Sequence, residues 1–327
     1  MQTMDLRKGV KYQDWGLMSS TKEDKLVPKL RFVAYRDKKA WQEISLIDVT
    51  DKKVKWSFIG GPFGSNLQSS DYTNEGIRII QLQNIGDGEF IDEYGIYTSE
   101  EKADELLSCN IYPGDIIMSK MGDPVGRACL IPDTHPRYVM CSDGIRIVVD
   151  QGRFSKYFIY SQINSPAFRA LVEKTATGST RKRIGLDDLK NLPMTAPVDL
   201  QEQQKIADCL SSLDDLITAQ SQKLEAIKEH KKGMIQQLFP AKGEAVPKLR
   251  FEEFVDTGDW QEKTLGECLL RNPEYGINAP AVPYSMDLPT YLRITDISED
   301  GYFLSDQKVS VAKDVTPENY LEDVTLF

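Results

Sequence analysis

The stretch Gly178–Ile217, GSTRKRIGLDDLKNLPMTAPVDLQEQQKIADCLSSLDDLI, holds the two patterns on which the architecture turns. Its first part sets three consecutive cations, Arg181, Lys182 and Arg183, between a Gly-Ser-Thr turn and a segment capped at Asp187. Its second part opens a heptad. Ile206, Leu210, Leu213, Ile217, Leu224, Ile227, Met234 and Leu238 follow alternating four- and three-residue steps, with Gln220 and Lys231 at the two polar seam positions. Asp199, with Glu202 three residues on, reads as an N-terminal cap, and Pro240 with Gly243 ends the run. The spacing predicts a helix on the order of 60 Å long, at about 1.5 Å per residue. One helix cannot bury so narrow an apolar stripe alone, so a partner helix is expected along it.

Outward from this helix the chain repeats itself. Val27-Pro28-Lys29-Leu30-Arg31-Phe32 recurs as Val246-Pro247-Lys248-Leu249-Arg250-Phe251, followed in identical register by Trp41-Gln42 and Trp260-Gln261, and then by Leu46 and Leu265. Further on, RIIQLQNIGDGEF from Arg78 resembles TYLRITDISEDGYF from Thr290. Two copies of one domain are expected, the second incomplete: nothing before Phe327 corresponds to YPGDIIMSKMGDPVGRACLIPD or to the basic stretch. A truncated form or a fragment would both give this pattern. The expected divisions are a loosely ordered extension over 1–24, with Met18 an alternative start, a first domain over 25–198, the helix over 199–242 and the partial copy over 243–327.

Within the first copy IRIIQL, DIIMSKM, RACLIP and GIRIVV are short β-branched runs bounded by Gly, Pro or Asp, and predict strands. SKYFIYSQINSPAFRALVEKTA has helical spacing. The expected class is α+β: a mixed α/β domain, a long coiled-coil-type helix, and a partial second copy of the domain.

The 327 residues suffice for two domains and a connector. A net charge of -10 argues against a polyanionic partner until its distribution is read. From Ser119 to Met194 there are 12 Lys and Arg against 7 Asp and Glu, whereas Glu244 to Phe327 holds 7 against 17. The acidity belongs to the C-terminal part and the middle segment is basic, and what a polyanion feels is the local field. Cys109, Cys129, Cys141, Cys209 and Cys268 are scattered without a C-x-x-C pair, and the only histidines are His135 and His230, so neither a disulfide framework nor a metal site is expected. The absence of a long apolar run or of a signal-peptide core makes a cytoplasmic location the default expectation.

Several residues are candidates for contact with nucleic acid. GGPFGSNLQSSDY from Gly60 surrounds one aromatic with small residues; Ser65 and Asn66 carry short polar groups that hydrogen-bond phosphates or base edges. Lys120 with Arg127, and Ser179, Thr180, Arg181, Lys182 and Arg183, are cationic or hydroxyl-bearing loop positions. Gln81, Gln83 and Asn84 add amides of the kind that pair with adenine.

Taken together, GPFGSNLQSSDY, the GSTRKRIGLDDLKNLPMTAPVDLQEQQKIADCLSSLDDLI run and the repeated VPKLRF lead-in resemble the specificity subunits of type I restriction-modification enzymes, over nearly everything from Lys25 onward. The resemblance implies two target-recognition domains held apart by antiparallel helices, each reading half of a split DNA target. It implies methyltransferase subunits that use S-adenosylmethionine for DNA methylation, and a restriction and translocase subunit with ATP and Mg, so no cofactor is expected on this chain. A full member carries a second conserved helix against the central one. Its absence leaves the stripe Ile206–Leu238 unpaired, and a homodimer reading an inverted repeat is the alternative expectation.

Enzymatic readings fare worse. Asn272-Pro273-Glu274-Tyr275 approaches the Asn-Pro-Pro-Tyr tetrapeptide of adenine methyltransferases, but Glu274 puts a carboxylate where a flipped base would stack. Phe58-Ile59-Gly60-Gly61 only half matches a loop for S-adenosylmethionine. Asp115 near Lys120 lacks a second acidic group to share a metal, which disfavours a nuclease.

Overall fold

The runs IIMS (Ile116–Ser119) and GIRI (Gly144–Ile147) are buried at every position, so their sheet must be covered on both faces. The computed structural model, which describes residues 26–269, 276–298 and 301–321, shows how. These two strands are the middle of a four-stranded antiparallel sheet ordered Phe58–Gly60, Gly144–Ile147, Ile116–Ser119, Ala128–Leu130. Side chains alternate across it with a period of two. Ile116, Met118, Ala128, Ile145 and Ile147 share one core with Phe158, Ile159, Ile163, Phe168 and Val172 of the helices Lys156–Ile163 and Pro166–Thr175. Ile117 and Cys129 point the other way, into a core with Ile80, Ile111, Tyr138 and Met140.

Those partners belong to a five-stranded sheet ordered Tyr72–Thr73, Ile96–Thr98, Ile77–Ile80, Tyr138–Met140, Asn110–Ile111, whose Ile77–Ile80 and Tyr138–Met140 run parallel. Its opposite face, through Ile79 and Val139, packs with Ala103 of the helix Glu100–Glu105 and with Leu106. The result is four layers of mixed helix and strand, the α+β class, with each strand run anticipated from sequence in place. The stretch of helical spacing from Ser155 to Ala176 forms two helices, because Ser165 caps the second by accepting from Phe168 N–H at 3.3 Å and Pro166 occupies its first turn.

The lead-in closes the domain. Gln42–Ser45 pairs antiparallel with Pro193–Ala196, and Leu46 beyond it is fully buried. Pro193–Ala196 feeds the 39-residue helix Leu200–Leu238, which Asp199 caps by accepting from Gln201 N–H at 2.9 Å. Glu202 is not part of that cap. It turns inward, 1 % exposed, and accepts from Arg31 Nε and Nη2 at 2.7 Å each and from Trp41 Nε1 at 3.2 Å. Gln203 adds a second anchor, accepting from Ser155 N–H at 3.0 Å and donating to the Pro197 carbonyl at 2.9 Å. Beyond Ala207 no side chain of the helix is buried, and Leu213, Ile217, Leu224 and Ile227 are each more than half exposed.

The described chain divides into two compact units between Ile227 and Lys228, inside this helix rather than at either of its ends. The second unit holds a three-stranded antiparallel sheet ordered Ala281–Pro283, Val309–Val311, Thr290–Tyr291. It reproduces the local structure of the first copy. Trp41 N–H donates to the Leu26 carbonyl at 2.8 Å, and at the corresponding positions Trp260 N–H donates to Ala245 at 2.7 Å. The short helical turn Val33–Tyr35 recurs as Glu252–Phe254, and the Ser45–Asp48 capping box as Thr264–Glu267. The turn in which Gln81 N–H donates to Asn84 recurs as Arg293 N–H donating to Asp296. The expectations for residues 1–24 and for Asn272–Tyr275 lie outside the described residues.

Candidate nucleic-acid interface

Gly61 sets the geometry of the site. A Cβ there would lie 1.7 Å from the Cys141 carbonyl oxygen, so only glycine lets this segment run so close to the Cys141–Gly144 turn. Gly61 N–H donates to the Gly144 carbonyl at 2.8 Å and fixes the approach. The chain then swings outward through a loop closed by Asn66 N–H on the Phe63 carbonyl at 2.8 Å. Phe63, 83 % exposed, stands at its tip with Ser65 and Asn66.

Facing this loop is the turn after strand Ile77–Ile80. Asn84 was expected among the contacting amides, but it is fully buried: its Oδ1 accepts from Gln81 N–H at 2.9 Å and its Nδ2 donates to the Ile91 and Tyr94 carbonyls at 2.8 and 3.3 Å. It builds the turn and does not reach the surface. Gln81 and Gln83 do, and Gln83 Nε2 donates to Gln81 Oε1 at 3.0 Å. That bond leaves the Gln81 amide hydrogens and the Gln83 carbonyl as an outward donor and acceptor, the pairing that adenine presents in reverse. Arg127, expected with Lys120 among the contacting residues, braces the turn, with Nη2 donating to the Leu82 carbonyl at 3.4 Å.

Between loop and turn lies an open cavity of about 330 Å³ whose lining includes Phe63, Tyr72, Gln81, Gln83, Ser142 and Asp143. Asp143 joins the cavity to the cations. Its carboxylate lies 2.9 Å from Arg183 Nη2 and 4.0 Å from Lys120 Nζ, while Lys120 N–H donates to the Asp143 carbonyl at 2.8 Å. The strand Lys182–Arg183 pairs with Met121–Gly122, and Arg183 and Thr177 exchange backbone hydrogen bonds of 2.8 and 2.9 Å. Gly178, at φ +112°, makes the tight turn whose tip exposes Ser179, Thr180 and Arg181.

The three consecutive cations therefore do not form one free basic loop. Successive strand residues point to opposite sides, so Lys182 pairs with Glu173 and Arg183 with Asp143, while Arg181 has no ion pair among the described residues. Asp115 is likewise engaged: its carboxylate takes Arg146 Nε at 2.7 Å, burial pushes its carboxyl up and Arg146 pulls it back. Among the described residues no group of three His, Cys, Asp or Glu is placed to hold a metal, and no helix is long and apolar enough to cross a membrane. All five cysteines are free thiols, with burial pushing Cys129 up to about 12.

Of the sequence candidates, the structure brings Gln81 and Gln83 to the cavity, Ser65 and Asn66 to its rim loop, and Lys120 and Arg183 to Asp143 in its lining. Phe63, Tyr72, Ser142 and Asp143 were not anticipated. Asp143 had read only as the residue before a strand, and the exposed aromatic between glycines was the one available signal.

A family model described as the type I restriction modification DNA specificity domain matches residues 38–229. Two proteins of Methanocaldococcus jannaschii are similar. The type I restriction enzyme MjaVIII specificity subunit is 21% identical over 205 residues, 62% of this chain and 46% of the relative. The putative type I restriction enzyme MjaX specificity subunit is 24% identical over 176 residues, 50% of this chain and 39% of the relative. The chain thus spans less than half the length of either. Among solved structures, a type I restriction-modification S subunit from M. genitalium is 18% identical with a TM-score of 0.44, covering 61% of this chain and 46% of that one. An HsdS subunit from Thermoanaerobacter tengcongensis is 18% identical with a TM-score of 0.39, covering 56% and 39%.

Proposed function

Since the chain belongs to the type I restriction modification DNA specificity domain family, we propose that its first unit reads base sequence in double-stranded DNA and leaves catalysis to partners. The observation that carries the reading is the convergence of three separate loops on one open cavity, with outward amides at Gln81 and Gln83 and cations beside them. In this reading Gln81 and Gln83 contact a base edge, Arg181 and Lys120 contact phosphate, and Ser65, Asn66, Ser179 and Thr180 position the backbone. Methyltransferase subunits bring S-adenosylmethionine, a restriction and translocase subunit brings ATP and Mg, and this chain itself holds no cofactor.

Selection of bound duplexes from a randomised pool, with and without the methyltransferase subunit, tests it. Gln81→Leu with Gln83→Leu should relax the selected sequence at one or two positions. Arg181→Ala should weaken all sequences alike and reduce the salt slope by about one. Retention indifferent to sequence refutes the reading.

A second reading is favoured by the exposed stripe. Of the heptad positions Ile206, Leu210, Leu213, Ile217, Leu224, Ile227, Met234 and Leu238, Ile206 packs against the first core and Met234 and Leu238 are half-buried, so the exposed Leu210, Leu213, Ile217, Leu224 and Ile227 would pair two copies of the long helix into a two-fold assembly suited to an inverted repeat. Light scattering that finds only monomer at micromolar concentration rules this out.

A further inference from the structure

The two segments that face each other across the cavity bring different chemistry to it. The turn contributes the amide pair, held in place by the Gln83-to-Gln81 hydrogen bond of 3.0 Å. The loop contributes the apolar side chains of Phe63 and Leu67. Leu67 is anchored in the core that holds Ile79 and Val139. Phe63 instead stands almost wholly in water, on a loop pinned by Asn66 N–H on its own carbonyl and by Gln68 Nε2 on the Ser65 carbonyl at 3.0 Å. A ring exposed on a pinned loop is apolar area open to a ligand.

The groups that would read a G·C pair are missing or engaged. Guanine is read chiefly by Arg or Lys on O6 and N7, and none of the described residues lining the cavity is an Arg or a Lys. Cytosine N4 is read by a carboxylate, and the one in this lining, Asp143, is already shared among Arg183, Lys120 and the Ser142 hydroxyl at 3.3 Å. An A·T pair requires what is free. At one end of its major-groove edge adenine presents N7 and N6, which an amide pair meets; at the other thymine presents a C5 methyl group, which an apolar side chain meets.

Resting on the reading that this cavity contacts base edges, we propose that it takes the major-groove edge of one A·T pair, with adenine toward Gln81 and Gln83 and the thymine methyl group toward Phe63. Phe63 is then a specificity-determining residue that discriminates by shape and apolar contact, without a hydrogen bond.

Competition binding by the full chain with the methyltransferase subunit, on the duplex selected from the randomised pool, tests this. Each thymine in turn is replaced by deoxyuridine, which removes the methyl group and keeps the base pairing. At the thymine opposite the adenine that Gln81→Leu with Gln83→Leu ceases to select, uracil should weaken binding about fourfold, the effect of leaving one methyl group unburied. Phe63→Ala should abolish the difference between thymine and uracil at that position, and Phe63→Leu should keep part of it. Uracil tolerated there, an unchanged thymine-to-uracil ratio in Phe63→Ala, or a G·C pair at the position the two glutamines select overturns the proposal and leaves base reading intact. A pool that yields no preferred sequence, or one that the glutamine variant does not relax, overturns both.

Discussion

Replacing Glu202 by glutamine in the chain itself removes the charge that three N–H donors converge on. Arg31 and Glu202 have side chains 6 % and 1 % exposed, so neither can turn to water when the other changes. Breaking a buried pair of this kind costs about 3–5 kcal/mol, since it leaves an uncompensated buried cation. A unit of this size shifts its melting temperature by about 2–4 °C for each kcal/mol, so the first unit should melt roughly 6–20 °C lower. Differential scanning calorimetry of the full chain reads this directly. Arg250→Met is the paired control: it deletes the guanidinium with unmet N–H groups and should leave the second transition unchanged or slightly higher. A loss below about 1 kcal/mol for Glu202→Gln would refute the argument that this ion pair joins the lead-in to the helix.

The tight approach at Gly61 makes Gly61→Ala expensive, about 3 kcal/mol in urea unfolding, whereas Gly64→Ala, with nothing within 4 Å of its Cβ, should be neutral. Asp48, held below its ordinary value near 3.8 by the Ser45 hydroxyl and N–H, gives stability that is complete above that value and is lost as pH falls through the lowered one; Asp48→Asn should flatten acid unfolding below about pH 4. Native thiol titration should find Cys209 and Cys268 fast, and the buried Cys109 and Cys129 inert until unfolding.

Local pattern made much of the fold legible. Short β-branched runs bounded by Gly, Pro or Asp located the buried strands, the heptad located the long helix, and an exact six-residue repeat revealed a second copy whose hydrogen bonds keep the same register. What escaped was set by contacts distant in sequence. Glu202 looked like a capping residue because nothing near it announces Arg31, far upstream. Asn84 looked available because burial of a turn depends on Ile91 and Tyr94 closing over it. The basic triplet looked free because its acids, Glu173 and Asp143, come from other elements.

Asp143 also bears on how fast a polyanion can be sampled. Because Arg183 and Lys120 already share an internal anion, a phosphate arriving at either of these two must displace a partner, whereas at Arg181 it meets a charge with no ion pair among the described residues. On the proposed reading, encounters held through these two cations alone would dissociate quickly, and prolonged residence would be reserved for those that also satisfy the amides at Gln81 and Gln83.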